Sequence, residues 1–428
     1  MIKTIKFLIF FKVGVAVCAI FSPFTHPHII RQTDTMGVAL RFWLRWTTEA
    51  ELMWPLLPAV LTAGDNYGIA PMEFPFLNLI TAPFFAFGLE WGRILASLFV
   101  VVASLLLVWW HSRVWRGVTL FDVDVSKASW LLLIFGVSQM YWHRFMPDFW
   151  SFILVSLAMG LSWNKTRVLP SFLLASLGML LKPPAIIALG FFLIKDKKTL
   201  IQNILKWILP ATCVCLVYYI WGIRFLEQIS DMPGYFKVGF RNPIDSVIGF
   251  FSQPKEIGEI FFKSIFTSYL FIFIAGYIAY KWILKKQVPS FSLWGILFLQ
   301  IFAVAILDGD HAFIHDYYFV GTSLTASVIF MRFLQKAPQK LVVLSLVILC
   351  FYHIERGIYG VRPVFQDNIW KQCSLILEQN LLAGVSKIDT QHSPYPTLGL
   401  CFGKVQNAKS SPFYIFIEDG KVKGKKKN

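Results

Sequence analysis

The chain has 428 residues, of which 56% are hydrophobic and only 15% charged, and its mean hydropathy is +0.60. Soluble domains carry about 25% charged residues, so this composition excludes an ordinary water-soluble globular protein. The net charge of +16 does not read as a nucleic-acid surface, because most basic residues sit in short clusters between uncharged apolar runs, as in the cytoplasmic loops of a multi-pass membrane protein.

In chain order the apolar runs predict about eleven spans, near 5–22, 93–110, 128–141, 148–162, 168–181, 184–194, 207–222, 264–280, 291–307, 317–331 and 341–354. A hydrocarbon layer offers backbone groups no water, so these runs read as helices. The first follows a basic start, Lys3 and Lys6. Phe21-Ser22-Pro23-Phe24 after it is a poor cleavage site, so it reads as an uncleaved span rather than a signal peptide. The clusters Lys3/Lys6, Arg113/Arg116/Lys127, Lys165/Arg167, Lys195/Lys197/Lys198/Lys206, Lys281/Lys285/Lys286 and Arg332/Lys336/Lys340 mark alternate connections. They place the N-terminus and those loops in the cytoplasm. Six cysteines are scattered, with neither metal spacing nor a disulfide framework.

The opposite connections differ in chemistry. The first, residues 23–92, is long and rich in aromatics, proline and carboxylates. Within it Asp34 to Trp46 is predicted as a helix lying in the membrane interface, with Arg41 and Arg45 one turn apart among large apolar residues. The others are Tyr141 to Asp148, the short Lys182-Pro183-Pro184, a polar stretch over 223–263, and Asp308 to Asp316. Residues 356–428 are less apolar, and the string Phe413 to Ile417 predicts some strand. The expected architecture is an all-α membrane protein, with a transmembrane domain over 1–355 and a small extramembrane C-terminal appendage over 356–428.

Chemistry-bearing side chains gather at one end of this bundle, whereas transporters usually hold ionisable groups at mid-membrane. The runs 168–181 and 184–194 reach only roughly 16–21 Å at 1.5 Å per residue, short of the 30 Å hydrocarbon layer. Lys182 is therefore expected in a dip below the outer surface, with Arg144 and Asp148 beside it. A cation at that depth is costly unless it meets an anion, and a lipid phosphate is one. Lys182 and Arg144 are candidates for that phosphate, against snorkelling to the headgroups. Asp34 is the candidate general base, against a helix-capping role. Its expected place near a helix start favours the ionised form. Glu73 and Asp148 are candidates for acceptor, sugar hydroxyls or a divalent ion, against plain solvent exposure. His315, Tyr317 and Tyr318 could line a sugar or phosphate pocket, or form an aromatic belt. Asp308, Asp310 and His311, with His315, are weaker candidates for a divalent metal ion, against a solvated acidic loop. Asp122-Val123-Asp124 has a similar shape but falls on the expected cytoplasmic side and is discounted.

Several of these segments carry a resemblance. In order they are Arg31-Gln32-Thr33-Asp34-Thr35, Met72-Glu73-Phe74-Pro75-Phe76 with the aromatic stretch ending at Phe87-Gly88, Pro147-Asp148, Lys182-Pro183-Pro184 and His315-Asp316-Tyr317-Tyr318. The pattern resembles superfamily C glycosyltransferases, nearest the bacterial protein-O-mannosyltransferase-like and lipid A aminoarabinose-transferase-like branches, over residues 1–355. It departs at Thr35, where many relatives have Glu, and at Phe74, where the aminoarabinose branch has Lys. The resemblance implies a multi-pass enzyme of the bacterial inner membrane with its site facing the periplasm. The donor would be an undecaprenyl- or dolichyl-phosphate-linked sugar, and the acceptor a hydroxyl of a lipid, glycan or protein. Attack activated by Asp34 would invert the anomeric carbon. No nucleic acid is implied, and a divalent metal cofactor stays open. Two other classes stay open on the residues alone. A transporter or lipid-linked sugar flippase would carry charges within spans. A non-catalytic membrane assembly subunit would not need acids and cations at one end.

Overall fold

The structure, a computed structural model, describes residues 2–21, 29–47, 73–164, 167–194, 197–229, 242–267, 270–283, 285, 291–309, 311–361, 413–418 and 421–426. For some helical residues, among them Asp34, Asp308 and His311, only the backbone is described.

Helices α1 (Ile2–Phe21), α2 (Ile29–Thr47) and α3 (Phe76–Thr81) lead through a 3-10 turn, Ala82–Phe87, into α4 (Leu89–Val114). A two-stranded ribbon of β1 (Thr119–Leu120) and β2 (Val123–Asp124) precedes α5 (Val125–Leu131) and α6 (Ser138–Tyr141). Next come α7 (Asp148–Asn164), α8 (Val168–Leu181) and a 3-10 segment, Pro183–Ile194. α9 (Lys197–Asn203), α10 (Leu209–Val217) and α11 (Ile223–Ile229) join through two π-helical turns. After α12 (Pro243–Phe251) and α13 (Pro254–Glu259) follow α14 (Leu270–Ile283), α15 (Phe291–Asp308) and α16 (His311–Ile314). A 3-10 turn, Asp316–Thr322, then opens α17 (Ser323–Lys336), and α18 (Gln339–Val361) closes the bundle.

Among the described residues, four helical stretches are long and apolar enough to cross a membrane: Lys3–Phe21, Glu90–Val114, Lys198–Leu226 and Asp316–Lys336. A fifth arises if Pro254–Ile265 and Leu270–Ile283, bent by 96°, are one broken span. Asp148–Trp163, Val168–Leu181, Pro183–Leu193 and Ser292–Leu307 are apolar but shorter. The all-α membrane class is therefore observed, whereas the expected eleven spans do not all appear as continuous helices. The run 128–141 shows why. It breaks into α5 and α6 around Gly136, whose φ of +72° favours glycine and whose N–H donates to Thr267 Oγ1 at 3.0 Å.

α7 is the hub, with every residue from Asp148 to Gly160 buried. Its contact with α8 depends on Gly178, where a Cβ would lie 2.7 Å from the Ser151 carbonyl oxygen and 2.8 Å from Val155. Small residues allow such close helix approach in membranes. Gly178→Val is expected to cost about 1–3 kcal/mol through overpacking, read as a lower Tm of the purified protein.

α2 differs from expectation. Thr35 to Phe42 are buried all round the helix, Arg41 to 2% exposure, rather than along one face. Protein covers this part of α2, where an interfacial helix would show a polar face to water. At the expected cytoplasmic end, Lys336 reaches Asp122 at 3.7 Å, joining two connections assigned to one side. Asp124 caps α5 by accepting from Ser126 N–H at 3.0 Å, a structural role. In the tail, β3 (Phe413–Glu418) pairs antiparallel with β4 (Lys421–Lys426), the strand the alternating string predicts.

Candidate active site

Lys182 is placed by the proline that follows it. Pro183 disfavours helical geometry in the preceding residue, and Lys182 adopts φ −161°, ψ 110°. α8 therefore ends at Leu181, and its last carbonyls need new donors. Phe74 N–H donates to the Leu180 carbonyl at 3.2 Å, and Tyr219 Oη donates to the same oxygen at 3.1 Å. That splice lays the first-loop segment against the α8 terminus and sets Glu73 beside Lys182.

Lys182 Nζ lies 2.6 Å from Glu73 Oε1 and 3.9 Å from Asp148 Oδ1. All three side chains are buried, at 7%, 3% and 0% exposure. Asp148 opens α7, where the helix dipole favours a carboxylate. The ammonium also sits 4.9 Å from the Tyr317 ring centre and 5.2 Å from that of Tyr318, within cation–π range. His315 packs on both rings, at 5.2 and 6.1 Å. Asp316 anchors this corner, accepting hydrogen bonds from Tyr141 Oη and, at 3.1 Å, from Ser264 Oγ.

Five of the expected substrate-binding residues thus meet from separate segments: Glu73, Asp148, Lys182, Tyr317 and Tyr318, with His315 behind them. Arg144 has a second set of neighbours. It lies, 6% exposed, in the turn between α6 and α7, among His143, Lys12 of α1 and His353 of α18. Burial lowers Arg144 to about 10, so it stays charged at neutral pH. Burial, and then the charges of Arg144 and Lys12, hold His143 well below the ordinary imidazole value, so it is neutral. Tyr141 bridges the two groups, feeling Asp316 and Asp148 on one side and Arg144 on the other.

Asp34 lies in α2, five residues past its first residue, Ile29, and its side chain is outside the described residues. That corrects two expectations. A cap would stand before Ile29, so Asp34 is not the N-cap, and the dipole effect fades beyond the first turn. The next residue, Thr35, is tied to α3, its carbonyl accepting from Asn78 Nδ2 at 2.5 Å. Asp310, and the side chains of Asp308 and His311, also lie outside the described residues. Among the described residues no cluster of three or more metal-type ligands occurs. Glu73 and Asp148 share the Lys182 ammonium as a cation. Sequence reasoning missed Asp316, Tyr141 and Ser264 as the anchor of the corner, though Asp316 stood inside a recognised motif. It also missed Lys12, whose only signal was being a lone cation midway along the first apolar run.

No protein-family model matches the chain, and no curated protein sequence matches it. Its fold is similar to that of the oligosaccharyltransferase of Archaeoglobus fulgidus. Against the crystal structure of the apo form the TM-score is 0.50 at 13% identity, covering 94% of this chain and 64% of the other. Against the complex with Zn and sulfate it is 0.52 at 12% identity, covering 95% and 62%. The chain spans less than two thirds of the length of these structures, and at such identity the likeness is one of fold.

Proposed function

We propose that the chain is a membrane glycosyltransferase that moves a sugar from a polyprenyl-phosphate donor to a hydroxyl of a lipid, glycan or protein, at the periplasmic face of a bacterial inner membrane. The observation that carries this reading is the buried meeting of Glu73, Asp148, Lys182, Tyr317 and Tyr318 from four separate segments. The oligosaccharyltransferase-like fold supports it. Polar groups buried this deeply in an apolar bundle are costly to assemble, and a site that handles a charged, hydroxyl-rich substrate accounts for them.

Asp34 takes the proton of the acceptor hydroxyl, whose oxygen attacks the anomeric carbon as the bond to the donor phosphate breaks. Configuration inverts, and the polyprenyl phosphate leaves with an added negative charge. Glu73 and Asp148 accept from sugar or acceptor hydroxyls, and Lys182 holds the two carboxylates in register. The rings of Tyr317 and Tyr318 offer a face to the sugar, as His315 supports them from behind. Arg144 meets the departing charge with its guanidinium.

Purified protein given a radiolabelled polyprenyl-phosphate sugar and a hydroxyl acceptor is expected to release free polyprenyl phosphate. A buried cation within a span, Lys12, favours one second reading, a lipid-linked sugar transporter. That reading expects the labelled lipid to cross reconstituted vesicles intact, with no phosphate released.

A further inference from the structure

The two 3-10 segments, Pro183–Ile194 and Asp316–Thr322, carry much of the site between them. The first starts at the residue after Lys182, and the second holds Tyr317 and Tyr318. Runs of 3-10 helix beyond about 3–4 residues are uncommon, because their hydrogen bonds are poorly aligned. Segments of 12 and 7 residues therefore depend on their neighbours to hold them. They meet at Gly321, where a Cβ would lie 3.0 Å from Ile187 Cβ and 3.4 Å from the Ala188 nitrogen. Gln300 of α15, 2% exposed, ties them together from a third element. Its Nε2 donates to the Ile187 carbonyl at 3.0 Å and to the Gly321 carbonyl at 3.4 Å. Its Oε1 accepts from Thr325 Oγ1 of α17 at 2.7 Å. The reversed amide would set its oxygen against two carbonyl oxygens, so these partners fix which end is nitrogen. A Cβ at Gly190 would lie 3.0 Å from Gln300 Cγ, so the glycine gives the side chain room to cross.

We propose that Gln300 is a positioning residue of this site: by clamping one carbonyl of each 3-10 segment, it holds the Lys182 ammonium at its place over the Tyr317 and Tyr318 rings. Ile187 follows Lys182 by five residues, and Gly321 follows Tyr318 by three, one 3-10 turn. Both connections are short, so a shift at the clamp is felt at the ammonium and at the rings. Gln300 itself need touch no substrate. Without the amide, the Ile187 and Gly321 carbonyls lose this donor and the Thr325 hydroxyl loses its acceptor, in an interior where stranded polar groups are costly. The two segments then shift to find other partners, and Lys182 parts from the rings. The clamp rests on the hydrogen bonds. Its consequence for the sugar rests on the function proposed above, in which these rings offer the donor sugar a face.

The test uses the full chain in lipid nanodiscs and follows acetylation of Lys182 by a small water-borne reagent. Lys12 in the first span, like Lys182 6% exposed, is the internal reference. Mass spectrometry gives both rates. Gln300→Met keeps the length of the side chain and removes its hydrogen bonds. It is expected to speed Lys182 acetylation by about tenfold, the worth of a stranded buried polar group, and to leave Lys12 unchanged. The donor KM rises by a similar factor, while the pH profile of kcat keeps its shape. Thr325→Val, which leaves both carbonyl bonds in place, has a smaller effect. Ser129→Ala, which removes a buried hydrogen bond with His111, behaves as wild type in both readouts. If Gln300→Met does not fold, Gly321→Ala takes its place, since the added Cβ pushes Ile187 away and exposes Lys182 by the same route. Equal acceleration at Lys182 and Lys12 is general loosening and overturns the proposal, as does an unchanged Lys182 rate in folded Gln300→Met. Selective exposure of Lys182 in a protein that transfers no sugar removes only the transferase reading. Sugar transfer with a wild-type donor KM in folded Gln300→Met removes only the role of Gln300.

Discussion

Asp34→Asn is expected to lower sugar transfer by about 10²- to 10⁴-fold, the usual contribution of a general base, with the Tm unchanged. Asn keeps the size and the hydrogen-bonding oxygen of Asp but cannot take a proton from an acceptor hydroxyl. The position is suitable on backbone grounds. Thr35, the next residue, is held to α3 through Asn78, and α3 begins three residues after Glu73, which contacts Lys182. The same links make Asn78 a positioning residue. Asn78→Leu should raise KM and lower kcat modestly while keeping the pH profile, whereas Asp34→Asn should remove the acid limb of that profile. A near-normal rate for Asp34→Asn in protein of wild-type Tm would end the base assignment.

Lys182→Met is expected to be the most destabilising single change in the cluster, at about 3–5 kcal/mol, the cost of stranding a buried charge. It leaves two carboxylates, Glu73 and Asp148, without the ammonium they share, in a place where their exposures are 3% and 0%. It also removes a cation from the faces of Tyr317 and Tyr318. Glu73→Gln should cost less, because Asp148 still lies 3.9 Å from the ammonium. Denaturation of the detergent-solubilised variants gives the order. If Glu73→Gln proves the worse of the two, Lys182 is not the shared counter-ion, and the account of the cluster fails.

The site was partly legible because its local chemistry is written in short segments. Lys182-Pro183-Pro184 states that a helix must stop and that a lysine stands at the break. Pro147-Asp148 states a helix start with a carboxylate in its first turn. Arg144 was read as a partner of Lys182 because both lie at ends of short runs. Distance along the chain does not tell which of two neighbouring clusters a side chain joins, and burial placed Arg144 with Lys12, His143 and His353. Asp34 was expected near a helix start because the helix was read over Asp34 to Trp46. The helix begins at Ile29 instead, soon after Pro27, so that a residue readable as a cap became an interior one.

The sequence by itself determined the solvent this protein folds in. Uncharged runs of spanning length force the backbone to satisfy itself as helices, and the spacing of basic residues sets loops apart into two chemically distinct groups. It also determined that a helix ends before Pro183, a local and steric limit, whereas the break at Gly136 inside a run read as one span came only with the structure. Only the tertiary structure decided which acids face which cations. That outcome depends on close approaches between remote helices, such as α8 on α7 at Gly178, and on a carbonyl at Leu180 that recruits Phe74 from more than a hundred residues away. Burying an ammonium between two carboxylates is favourable only when all three arrive together, and no segment carries that information alone.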